Sequence, residues 1–241
     1  MLVYAGHISN ELNWFNKMML TLQITGSEIV GCSTELSPVQ QAQSAGNAMQ
    51  VFLLTRMYAG KLFEARKFLR QWLFGQAWFD ALRPELPEEA KEAYHQLKEY
   101  LIRVKSSPEK DLIRTARDKS AFHYDDKMVR GSSECVDYKV EFGSYLATDV
   151  GNTLYIGSER IILEGLAIQA GYEDVGQFFS DFFDECLRVG RWIKDLLGHT
   201  VAAIYLKHCG ATLDSIGLKE EFEMEAPHIR KWRLPYFFSG S

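Results

Sequence analysis

Cysteine is scarce and scattered: Cys32, Cys135, Cys186 and Cys209 are four in 241 residues, and none forms a Cys-x-x-Cys pair. That spacing excludes a zinc ribbon, a thioredoxin-like motif and a haem attachment, and is expected of free, mostly buried thiols in a reducing compartment. No apolar run approaches the ~20 residues that span a bilayer. The opening Met1-Leu-Val-Tyr-Ala-Gly-His7 lacks the basic stretch and apolar core of a signal peptide. The expectation is a cytoplasmic protein with no membrane partner. Also missing are a glycine-rich phosphate loop, a Gly-x-Ser-x-Gly elbow, a His-Glu-x-x-His pair, internal repeats and low-complexity segments. A net charge of −5 argues against constitutive wrapping of duplex DNA or RNA, which usually needs a basic domain.

What is present describes a well-packed globular chain, with 46% hydrophobic and 13% aromatic residues. Ile8, Leu12, Phe15, Met18, Met19 and Leu22 recur at helical spacing, so a first helix is expected over 7–24, ended by Gly26. Ser37-Pro38 with Gln40 is a cap-and-proline start, and the apolar pattern then runs from Val39 to about Phe74. Ala42, Ala45, Gly46, Ala48, Ala59 and Gly60 suggest close helix contacts along it. Pro84 and Pro87 bracket a break, and Glu88-Glu89 favour a third helix. Ser107-Pro108-Glu109 repeats the start signal. Val136, Tyr138, Val140 and Phe142 alternate with polar residues, which predicts an irregular or β-hairpin insert near 134–157, within a distinct stretch 127–157. Helix returns near Ser158, Gly171 stops it, and a long C-terminal helix is expected over about 173–208. The sum is a mainly α fold: a single helical domain over 1–241, a bundle with two long helices and a small insert.

Most candidate chemistry dissolves on inspection. Glu92-Ala-Tyr-His95 has the Glu-x-x-His spacing of di-iron bundles, but its one formal companion, Glu225-Ala-Pro-His228, contains a proline that excludes a helix interior. No metal or other cofactor is therefore expected. His199 and His208 lie nine residues apart with nothing at ligand spacing. Phe178, Phe179, Phe182 and Phe183 read better as a core face than as a base-stacking platform.

The segment Arg117-Asp-Lys-Ser-Ala-Phe-His123-Tyr124 is different. Arginine is a permanent cation that clamps phosphate, and histidine exchanges a proton near neutral pH. The pair points to phosphodiester chemistry on RNA. From Arg103 to Arg130 there are eight Lys or Arg against five Asp or Glu, a local +3 on an acidic chain, with Arg114 and Lys119 flanking the motif. On an ideal helix, Arg117 and His123 would stand about 120° apart and about 9 Å along the axis. Either the helix ends or bends near His123, or two copies of the motif meet. A plainer arrangement also fits: Arg117 and Asp118 in helix-surface ion pairs, with His123 capping a helix C-terminus.

Over about fifteen residues the motif resembles the catalytic signature of the HEPN superfamily, in particular its abortive-infection branch: arginine, a polar residue (here Asp118), then histidine. The resemblance implies a metal-independent ribonuclease acting as a homodimer, in a toxin–antitoxin or antiphage setting, with RNA as substrate and an antitoxin protein as partner. In that reading His123 and Arg117 are catalytic and Asp118 holds one of them in place. Tyr124, Arg114 and Lys119 are substrate-binding. The alternative is a non-catalytic helical interaction module that binds a nucleotide, RNA or a partner protein.

Overall fold

A computed structural model describes residues 2–31, 38–121, 130–131, 144–145 and 154–209. Among them helix dominates, in the order α1 (Leu2–Gly31), α2 (Pro38–Trp72), α3 (Ala77–Leu82), α4 (Glu88–Ser106), α5 (Leu112–Ala116), α6 (Ile156–Gln169) and α7 (Val175–Cys209). The mainly α, bundle-type expectation holds. Two dipeptides, Ser144–Tyr145 and Leu154–Tyr155, pair antiparallel with Ser144 opposite Tyr155. The alternating stretch Val136–Phe142 that suggested a hairpin lies outside the described residues.

α1 and α2 form an antiparallel pair: Thr55 donates to the Met19 sulfur, and about two turns on Lys61 reaches back to Glu11. Ala5, Leu12, Phe15 and Met19 are the buried stripe of α1. The helix runs on through Gly26, where a stop was expected, because one interior glycine costs only ~1 kcal/mol. α2 supplies Phe52, Ala59, Leu62, Ala65 and Leu69 to the core, and Leu73 just past its end is also buried. Of its small residues Gly46, Ala59 and Gly60 are buried, while Ala48 is exposed. Gly75, at φ +74°, turns the chain out of α2 in a conformation that costs other residues strain.

α7 is the central strut and packs on α1, α2 and α4. Its phenylalanines are core: Phe178 and Phe182 are fully buried and stacked, with ring centroids 5.7 Å apart. α7 begins at Val175 because Asp174 accepts a hydrogen bond from the Gln177 backbone N–H. α4 lies antiparallel to α7, with Tyr100 against Glu185 and Lys207 against Glu85.

The expected helix start at Ser107-Pro108-Glu109 needs correction. Pro108–Lys110 is a single 3-10 turn, and α5 begins at Leu112 with Asp111 as its cap. Asp111 takes that role because its carboxylate accepts from the Arg114 backbone N–H at 3.1 Å, which the Ser107 side chain does not do for any helix-start amide. The short helix α3 and the 3-10 turn Arg83–Glu85 fill what the prolines marked only as a break.

Candidate functional site

The α-helical winding of α5 ends at Ala116, and Arg117–Ala121 forms a wider π turn. Such turns insert a residue into a helix and recur at functional sites. The turn re-aims Asp118 to Ala121 relative to an ideal α-helix.

Arg117 stands half-exposed on this turn. Its Nη1 donates to Asp118 Oδ1 at 2.8 Å, its Nη2 lies 3.6 Å from Glu64 Oε1, and its guanidinium sits 5.0 Å from the Phe63 ring centroid. Arg114 Nε donates to the other Asp118 oxygen at 3.3 Å. Burial works against the Asp118 charge, but the hydrogen bonds from Arg117 and Arg114 outweigh it and hold the carboxyl below its usual range. Lys119 lies half-buried on the same turn. The structure thus brings Arg114, Arg117 and Asp118 together, with Asp118 gripping the arginines. His123 and Tyr124 lie outside the described residues.

The turn is moored to the core by a polar network absent from the sequence reading. Arg66, on α2 and 3% exposed, donates to both oxygens of the buried Asp111 at 2.9 and 2.6 Å. Its Nη1 also reaches the Tyr100 hydroxyl at 3.2 Å. Tyr100 donates onward to Glu185 Oε1 at 3.0 Å, and Arg103 approaches the other Glu185 oxygen at 3.5 Å. Burial opposes the Arg66 charge, yet Asp111, Tyr100 and Glu185 outweigh it and raise its pKa. Asp111 therefore serves two elements at once, pairing with α2 and capping α5. A second pair, Arg56 with Glu159, ties α2 to α6. Both arginines carried a legible signal: 56 and 66 fall four residues after the buried Phe52 and Leu62, on the apolar stripe itself.

The remaining sequence candidates separate. Glu92 and His95 are exposed on α4, and Glu92 accepts a hydrogen bond from Gln96. His199 lies 3.6 Å from Glu89. Among the described residues no cluster of three or more His, Cys, Asp or Glu is placed to hold a metal ion, and no helix is long and apolar enough to cross a membrane. Comparison with family models, with curated proteins and with solved structures found no match.

Proposed function

We propose that the chain acts on RNA as a metal-independent endoribonuclease of the toxin or defence type, in the cytoplasm, with Arg117 and His123 at the reacting phosphodiester. The observation that carries this reading is Arg117 itself. It is a half-exposed guanidinium on a π turn, flanked by the carboxylates of Asp118 and Glu64, with His123 six positions on. In this mechanism His123 removes the proton from a 2′-hydroxyl, whose oxygen attacks the adjacent phosphorus and expels the 5′-oxygen. Arg117 stabilises the charge that builds on the phosphoryl oxygens. Asp118 orients Arg117 until substrate competes for it. Arg114, Lys119 and Tyr124 bind the flanking phosphates or base. A homodimer brings a second motif to the site, and an antitoxin would bind the same surface.

The contacts of Arg117 with Asp118 and Glu64 favour a second reading. An arginine held by two carboxylates and a ring is also what a non-catalytic interaction module needs for a fixed surface.

Cleavage of a mixed RNA pool, with and without EDTA, decides between them. The catalytic reading expects cleavage that survives EDTA and leaves 2′,3′-cyclic phosphate ends. Arg117→Ala should lower turnover by a factor of about 10² to 10³, Arg117→Lys should restore little because a point charge does not reproduce the planar fork, and His123→Ala should be at least as damaging. Light scattering should give twice the chain mass of 27.6 kDa. Folded wild type without RNase activity leaves the interaction module.

A further inference from the structure

An open groove of about 780 Å³ lies between α2 and α4. Its charged lining is Arg70, Arg83, Lys98 and Lys105 against the single carboxylate of Asp80, in a chain whose net charge is −5. Asp80 is engaged by Arg83 at 3.5 Å. Arg70, Lys98 and Lys105 have no carboxylate at ion-pair distance among the described residues. A groove so arranged concentrates positive potential, because its low-dielectric walls focus the field. At Arg70, burial and then the neighbouring Arg66 charge push the pKa down, against the opposing pull of Asp111 and Tyr100. An anion seated beside it would relieve that repulsion.

The groove is not purely ionic. Phe74 is half-buried at its wall, and the Tyr94 ring lies beneath the Arg83 and Lys98 cations at 4.9 and 5.9 Å. Ile102 is an exposed apolar side chain, 60% accessible, on the same lining. Alternating cations and flat or apolar surface suit a ligand that presents phosphates and bases in turn.

The groove also runs in line with the Arg117 turn. Phe63, Lys67 and Arg70 recur at i, i+4 and i+7, so they share one stripe of α2, and Phe74 follows in the turn just beyond the helix end at Trp72. Arg117 covers Phe63 at one end of that stripe, Lys67 approaches the same ring at 4.8 Å, and the groove opens at the other end. From Phe63 to Arg70 the rise is about 10 Å. Facing it on α4, Lys98, Ile102 and Lys105 keep the same i, i+4, i+7 spacing.

We propose that this groove is a track for single-stranded RNA that leads the strand to the Arg117 turn. Arg70, Lys98 and Lys105 contact successive phosphates, and Phe74 and Ile102 contact bases. The inference rests on RNA being the ligand, as in the function proposed above. An acidic peptide would meet the charge but would have no use for continuity with the Arg117 motif.

The test is fluorescence anisotropy with a labelled RNA of roughly twelve nucleotides, fully 2′-O-methylated so that it cannot be cleaved. Lys98→Glu/Lys105→Glu, both on exposed positions of α4, should weaken binding about tenfold or more. Lys98→Arg/Lys105→Arg should hold affinity within about threefold. Unchanged affinity in the charge-reversed protein, no binding by wild type, tighter binding to a duplex of equal length, or equal displacement by polyglutamate would each overturn the track. The track and the catalytic reading fail separately. If wild type binds through the groove yet cuts no RNA, the track stands and the nuclease falls. If wild type cuts and the charge-reversed protein cuts with unchanged kcat/KM, the nuclease stands and the track falls.

Discussion

Tyr58 puts its hydroxyl into the space that a Cβ at residue 190 would fill. Gly190 is therefore a packing requirement of the α2–α7 contact, where both residues are buried. Gly190→Ala should lower stability by about 1–3 kcal/mol, the usual cost of overpacking, and Tyr58→Phe in the same chain should recover part of the loss in a thermal melt. An unchanged Tm in the single variant would refute the close approach. Glu185 gives the pH-dependent counterpart. Burial above all holds its carboxyl above the ordinary 4.5, against the opposing pull of Tyr100, Arg103 and Arg188, while Asp111 adds to the rise. The folded chain thus keeps a proton at pH values where the unfolded chain has lost it. The contribution is complete below the unfolded value and disappears as pH rises through the raised folded one. Glu185→Gln stays uncharged, so its Tm should gain on wild type as pH rises through that window, the difference narrowing again below pH about 4.5. A difference that stays constant with pH would contradict the assignment.

At the scale of elements, α5 is too short to stand alone: its five residues fall below the length at which helices persist in water. Asp111 holds it, with one carboxylate shared between Arg66 and the first turn of α5. Asp111→Ala should cost about 3–5 kcal/mol, because it strands the buried Arg66 guanidinium. Arg66→Met/Asp111→Leu should be far milder in a denaturant titration; equal damage from both would show that the loss does not come from the stranded charge. Much of this level was legible. Pro38 opens α2, Glu88 opens α4 and Gly171, at φ +78°, closes α6, each where turn and cap chemistry places it. The π turn was not legible, because a change from i+4 to i+5 hydrogen bonding leaves no trace in a periodicity spread over five residues. α5 was misread at its start because Pro108 imitates a helix opening, whereas the capping side chain comes three residues later. Of the site, Arg117 and Asp118 were singled out by their chemistry. Glu64 and Phe63 were not, since only folding brings α2 to the turn.

For the whole molecule, the contrast is between an overall charge of −5 and a cationic groove. Binding through three lysine or arginine contacts predicts log K falling with log salt at a slope of about −2, or about twentyfold weaker binding between 50 and 200 mM salt. Reversing Lys98 and Lys105 should flatten that slope by about 1.4 units. A steep slope that survives the reversal would move the RNA elsewhere on the surface. Comparison of the two proteins across a salt series therefore reads location as well as affinity.

The chain Asp111–Arg66–Tyr100–Glu185 also has a meaning for descent. Each member is buried, and each satisfies a neighbour that would otherwise be stranded. None of the four can drift singly without a penalty. A lineage that replaces Arg66 by an apolar residue is expected to have lost the acid at 111 as well, and with it the anchorage of the turn that bears Arg117. These positions should thus be inherited together or abandoned together.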